Sequence, residues 1–197
     1  MTSPTTTPAA ISLDAWVSAL GDMGASRVTT PDPKKTGLAV SAAIPPEKLA
    51  EAAEELKRGG FSLLFITAAE FVEGFLLTYV FDTFGEHFRL ALRVLLRDKE
   101  KPEIPSLWSV FQGAEWHERE AFDFYGIVFD GNPNLVPLLL PSDFPGPPPL
   151  RKKPEALASL AKLDFFGPGV PVSPDRDFPP PPPAAPTPPA APEGAES

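Results

Sequence analysis

The sequence predicts an α+β fold of two layers, with helices packed on one side of a mixed, mostly antiparallel sheet. Three observations carry that expectation. The stretch "PPEKLAEAAEELKRGG" places Leu49, Ala52, Ala53 and Leu56 on one face, with Pro46 at the start and Gly59 and Gly60 as the stop, which is the pattern of an amphipathic helix. In "HFRLALRVLLRD", Phe88, Leu90, Leu92, Val94 and Leu96 alternate without a break, as a strand with one buried face requires. The order helix, two strands, helix, three strands then suits helices laid against one sheet.

Taken in order, residues 1–10 read as a disordered polar leader. Ser12 is a candidate cap for a first helix carrying Leu13, Trp16, Val17 and Leu20 at helical spacing and ended by glycine. "ASRVTTPDPKKTGLAVSAAIP" reads as two short strands around a Pro-Asp-Pro-Lys-Lys turn. After the second helix, whose charged residues Glu47, Lys48, Glu51, Glu54, Glu55 and Lys57 form a solvated face, come three strand candidates: "FSLLFITAAEF", "FLLTYVFD" and the alternating run above. Gly85 supplies the hairpin turn between the last two. Arg89, Arg93 and Arg97 share the strand's other face. That row is either a solvated outer sheet face or a docking face for an acidic neighbour.

The 28 prolines among 197 residues are concentrated late, so the globular part is shorter than the chain. The expected organisation is a leader at 1–10, an α+β domain at 11–130, an extended docking segment at 131–166 and a proline-rich tail at 167–197. From "FFGPG" onward no regular element is expected, because prolines at this density favour polyproline II or disorder. Leu157, Leu160 and Leu163 can form one short amphipathic turn before it.

Composition excludes several functions. A net charge of −9 argues against a nucleic-acid partner. With no cysteine, the chain can hold no cysteine-ligated iron–sulfur cluster, disulfide or thiol nucleophile. No run of about 18 apolar residues occurs, so a cytosolic, soluble chain without a membrane segment is expected.

Charge and aromatics concentrate in "EWHEREAFDFYGIVFDGNP", residues 115–133. Residues 114–125 can be one helix ended by Gly126, with Glu118, Ala121, Phe122 and Tyr125 on one face and Arg119 able to pair with Asp123 four residues on. The zincin pattern fails, because Ala121 stands where a second histidine is needed. With only His87 and His117 available, a paired Glu-x-x-His di-metal site cannot be built. No phosphate loop, nucleophile elbow or Ser-His-Asp triad stands out, and several acids on one helix are weak evidence for a glycosidase. What remains is a docking surface.

"EWHEREAFDFYGIVFDGNPNL", followed by "LLLPSDFPGPPPLRKKP", resembles the signature of the C subunit of NADH-quinone oxidoreductase, which is the 30 kDa subunit of respiratory complex I. The matching positions are Trp116, Glu118, Arg119, Glu120, Asp123, Phe124, Tyr125, Gly126, Ile127, Phe129, Gly131, Pro133, Leu135, Leu150, Arg151 and Lys152. Upstream, "GFSLLFITAAEF" is similar to the family's Asp-Ile-Thr-Ala-Val-Asp strand, with Phe65 and Glu70 standing for its two aspartates. The resemblance spans roughly residues 45–154. It departs at Asn132, where the family has histidine, at Val136 and Pro137, where it has an arginine pair, at "GPPP" for Gly-His-Pro, and at Lys153 for aspartate.

The resemblance implies a non-catalytic structural subunit of the peripheral arm of a proton-translocating NADH:quinone oxidoreductase. It implies packing on the D subunit, with the B subunit alongside near the quinone site, on the cytoplasmic side of the membrane. No cofactor is expected on this chain; FMN, iron–sulfur clusters, NADH and quinone belong to the complex as a whole. The expected interface residues are Glu118, Arg119, Glu120, Asp123, Phe124, Tyr125, Gly126, Arg151 and Lys152, the first four forming a part-buried ion network that fixes the helix and the following loop. Two alternatives stay open: a stand-alone adaptor acting through its proline tail, and a member of a related hydrogenase-like quinone-reducing complex.

Overall fold

A computed structural model describes residues 12–84, 88–166 and 171–180. The leader at 1–10, Gly85, His87 and most of the proline-rich tail lie outside those residues. Helix α1 (Leu13–Asp22) begins at Ser12, whose side chain accepts the Ala15 N–H. Strands β1 (Arg27–Thr29) and β2 (Val40–Ala43) follow, separated by a single helical turn, α2 (Pro33–Thr36), which Asp32 caps. Helix α3 (Leu49–Arg58) is entered through a 3₁₀ turn at Pro46–Lys48. Leu49, Ala52, Ala53 and Leu56 are all fully buried, so the helical face is the expected one.

Strands β3 (Phe61–Phe71), β4 (Gly74–Thr83) and β5 (Leu90–Leu96) complete a five-stranded sheet of order β1-β2-β5-β4-β3. Only the β2–β5 pair is parallel, so the sheet is mixed and mostly antiparallel, as expected. The β3–β4 hairpin turns at Gly74, whose φ of +145° and approach to the Leu96 carbonyl exclude a side chain. A Cβ there would lie 2.1 Å from that oxygen.

One face of the sheet carries Val40, Ala42, Phe75, Leu77, Tyr79, Phe81, Leu90, Leu92 and Val94 into a single core with α1 and α3. Trp16 of α1 meets Phe61 edge-on at 5.0 Å. A second, parallel two-stranded sheet, β6 (Glu103–Pro105) with β7 (Val128–Asp130), brackets helix α4 (Ala114–Tyr125) and ties its two ends together. Ile104, Ala114, Ala121 and Phe129 join the same core.

The opposite face corrects the expectation for the arginine row. It is neither solvated at its centre nor left for a neighbour, because residues 160–166 and 171–178 of the same chain lie across it. Leu160, Phe166, Val172 and Phe178 pack with Ala43, Leu76 and Leu95 in a second apolar cluster. Where the sequence predicts no regular element, Pro174–Asp177 form one helical turn, α5. The turn expected near Leu160 is present as a 3₁₀ turn at Leu160–Lys162.

Arg93 is only 7 % exposed, donates to the Ser41 hydroxyl, and stacks 4.6 Å from the Phe165 ring centre. Burial lowers its guanidinium to about 10. Arg97 donates to the carbonyls of Pro174 (3.0 Å) and Phe178 (2.7 Å) and pairs with Asp175. Arg27 pairs with the buried Asp177. Of the row, only Arg89 stays solvated, paired with Asp82 at 2.9 Å. Lys57 also leaves the solvated face of α3, donating to the Val110 carbonyl.

Candidate functional site

Helix α4 ends at Gly126, which takes the left-handed conformation (φ +73°) and whose N–H returns to the Phe122 carbonyl. From there the chain runs through β7 into residues 131–153, an extended stretch without strand or α-helix. An extended segment leaves backbone groups without partners unless side chains supply them. The charged residues of α4 do so.

Glu118 is fully buried on the inner face of α4. Its carboxylate accepts from Ser106 Oγ (2.6 Å), Leu107 N (2.7 Å) and Asn132 Nδ2 (2.7 Å). Three donors are what a buried carboxylate needs to offset its desolvation. Nearby, burial and the Glu118 charge hold the Tyr79 phenol well above its ordinary pKa.

One turn on, Asp123 Oδ2 accepts three consecutive backbone N–H groups, those of Leu138 (2.9 Å), Leu139 (2.7 Å) and Leu140 (3.1 Å). Arg119 donates to the carbonyls of Val136 (3.0 Å) and Pro137 (2.9 Å) while lying over the Trp116 ring. The expected Arg119–Asp123 pair is therefore not formed. An exposed pair four residues apart is worth a few tenths of a kcal/mol, whereas each of these groups satisfies two or three backbone groups of the loop. The expected ion network is a set of separate clamps, Glu118 on residues 106, 107 and 132 and Arg119 and Asp123 on residues 136–140, and Glu120 makes no hydrogen bond or ion pair with the described residues.

A second cluster holds the far end of the segment. Glu70, at the end of β3, accepts the Lys152 N–H (2.8 Å) and pairs with Lys99 (2.8 Å). Burial alone would raise its carboxyl, but the Lys99 bond, the Lys152 N–H and the Arg151 charge outweigh it and hold it below the usual range. Arg151 donates to the Lys99 carbonyl (2.6 Å) and lies over Phe75. Leu150 N donates to the Phe124 carbonyl (3.1 Å), which joins the segment to the end of α4. Tyr125 sits edge-on to Phe75 at 6.0 Å, its phenol raised by burial and by the charges of Glu70 and Glu120.

The structure thus brings Glu118, Arg119, Asp123, Phe124, Tyr125, Gly126, Arg151 and Lys152 around one segment. Sequence reasoning missed Ser106 and Glu73. The latter accepts Ser159 Oγ (2.6 Å) and Leu160 N (3.0 Å) where the chain turns onto the second sheet face. Val136 (48 %), Leu139 (64 %), Phe144 (40 %), Leu150 (47 %) and Trp116 (61 %) remain exposed around the clamped segment. Among the described residues no three His, Cys, Asp or Glu side chains converge as metal ligands, and no helix is long and apolar enough to cross a membrane.

The sequence pattern of the family described as the respiratory-chain NADH dehydrogenase 30 kDa subunit matches residues 42–158, more than half of the chain. The chain belongs to that family. The match runs from β2 through the clamped segment and leaves out α1, β1 and residues 159–178. Among relatives, the NADH-quinone oxidoreductase C subunit of Chloroherpeton thalassium is 47 % identical over 75 residues, 38 % of this chain and 30 % of that protein. The NAD(P)H-quinone oxidoreductase J subunit of Parasynechococcus marenigrum is 51 % identical over 61 residues, 31 % of this chain and 32 % of that protein. The chain therefore spans about a third of the length of the curated relatives it matches. Among solved structures, the trypsin-resistant fragment (1–134) of Nqo5 superposes with a TM-score of 0.54 at 25 % identity, covering 62 % of this chain and 98 % of the fragment. This 30 kDa-family chain thus shares the fold of the Nqo5 fragment over 62 % of its length.

Proposed function

We propose that the chain is a non-catalytic structural subunit of the peripheral arm of a membrane-bound NADH:quinone oxidoreductase. In this reading it holds no cofactor, packs on the D subunit with the B subunit alongside near the quinone site on the cytoplasmic side, and supports electron transfer from NADH to quinone by fixing the geometry of its neighbours. The observation that carries it is the clamped segment. Glu118, Arg119, Asp123 and Glu70 bind the backbone of residues 107 and 136–152, so the family motif maintains the shape of a surface rather than a reaction centre. That surface presents apolar side chains to solvent, Leu139, Phe144 and Leu150 with Trp116 beside them, the composition of a docking patch.

The test is to tag the chain in its native cell, solubilise the membranes mildly and identify what copurifies. Arg119→Ala with Asp123→Ala frees the loop and is expected to deplete the other oxidoreductase subunits at least several-fold, while Glu54→Ala on the outer face of α3 leaves them unchanged. A wild-type chain that runs alone in the soluble fraction would overturn the proposal.

A further inference from the structure

The two edges of the main sheet are finished differently. Strand β1 is three residues long, and residues 171–178 lie over it through the Arg27–Asp177 pair and the Ser26 hydroxyl on the Asp177 carbonyl. At the other edge β3 is eleven residues long and pairs with β4 alone. A bulge at Leu64 interrupts its register, after which Phe65–Phe71 pair with Val80–Gly74 without a break. On the outer side of that run the described residues make no backbone hydrogen bond. The first to be used is Val72 N–H, just past the strand, which Ala158 O accepts at 3.0 Å.

Free sheet edges are ordinarily blunted by lysine, proline, short length or a covering segment. The run Phe65–Phe71 has no lysine or proline. Its single charge, Glu70, is buried and turned to Lys99 and Lys152. Phe65 and Leu64 are each 42 % exposed. On the helical side the edge borders a groove of ≈ 110 Å³, room for about one side chain, between Ile66, Thr67 and Ala68 of β3 and His117, Glu120 and Phe124 of α4. Glu120, whose carboxylate makes no hydrogen bond or ion pair with the described residues, stands on that groove.

We propose that Phe65–Phe71 receives an extended strand from another subunit of the complex, which adds a sixth strand to the sheet by edge pairing. Alternate side chains of the added strand lie on the two sheet faces. On one face an apolar residue covers Phe65; on the other a lysine or arginine enters the groove and pairs with Glu120. This rests on the structural-subunit reading above and adds the partner's chemistry to it. A second copy of this chain does not fit, because its own β3 brings no cation to Glu120.

A photo-crosslinking residue, p-benzoylphenylalanine, placed at position 67 during synthesis puts one probe on the edge without labelling the cysteines of other subunits. In the purified, assembled complex, irradiation is expected to give one adduct with another subunit, mapped to an extended segment containing a basic residue. The same residue at position 54, on the outer face of α3, gives none. Amide exchange at residues 65–71 is expected to be at least about tenfold slower in the complex than in the full-length chain alone, as new edge hydrogen bonds require. Glu120→Lys is expected to cut the adduct several-fold while leaving the thermal midpoint of the free chain unchanged. An adduct between two copies of this chain, or equal exchange of residues 65–71 in complex and free chain, would overturn the inference. If the complex copurifies and position 67 gives no adduct, edge pairing fails while the structural-subunit reading stands; if nothing copurifies, both fall.

Discussion

The two long irregular segments of this chain are held down by opposite means. Residues 131–152 are fixed through their backbone: Asp123 and Glu70 accept N–H groups, and Arg119 donates to two carbonyls. Residues 160–166 and 171–178 are fixed mainly through their side chains, with Leu160, Phe166, Val172 and Phe178 in an apolar cluster and Asp177 on Arg27. A clamp that grips backbone tolerates almost any residue it holds. The departures from the family pattern at Val136 and Pro137 therefore leave the Arg119 bonds intact, since only the carbonyls of those two residues are used. The departure at Asn132 keeps a donor on Glu118. A segment held by side chains has no such freedom, and it is the one that lies outside the family match.

Breaking the backbone clamp is expected to have the largest effect. Asp123→Ala leaves three N–H groups without their acceptor and should cost about 3 kcal/mol in urea unfolding, with the midpoint falling and the slope unchanged. Phe166→Ala opens a hole beneath the second segment and should cost about 3 kcal/mol, the low end for a buried phenylalanine, as this segment lies at the edge of the fold. Because that segment can lift on its own, the loss is expected first as faster tryptic cleavage at Lys162 and Arg176, before any change in the global midpoint.

Asp177→Asn is expected to cost about 2 kcal/mol near neutral pH, through weakened bonds to a buried charged group. Burial alone would raise the Asp177 carboxyl, but the Arg176 bond, the Ser173 N–H and Arg27 hold it below its ordinary value. The stabilisation is therefore complete above about pH 4, the unfolded value, and is lost as pH falls through the lower folded one. Urea midpoints of parent and variant should differ by a constant amount from about pH 5 to 8 and converge as pH falls below about 4. The smallest effect sharpens the comparison: Val136→Ala, which keeps the carbonyl that Arg119 uses, should change stability by less than about 0.5 kcal/mol.

What could be read from the sequence was whatever repeats locally. The buried face of α3 and the inward alternation of β5 follow from spacing alone, and both are present. The Arg119–Asp123 pair failed for the same reason. Spacing along a helix ranks neighbours four residues apart, while the partners actually taken lie 15–18 residues on and are backbone atoms, which leave no mark in a side-chain pattern. Arg93 was misread because its cover, Phe165 and Phe166, lies more than 70 residues downstream. A signal was available: "LALRVLL" in β5 is buried at every position, and near-continuous apolar runs belong to strands covered on both faces.

The Arg27–Asp177 contact joins residues 150 positions apart, and this sets an order on synthesis. At about 5–20 residues per second, Arg27 and the β1 edge wait roughly 8–30 s for the residues that cover them. The sheet is thus assembled from its middle, and residues 171–178 close an edge made some 150 residues earlier. A nascent chain that has emerged from the ribosome only as far as residue 153 would carry intact clamps and a bare second face, the form most exposed to chaperones and to premature association.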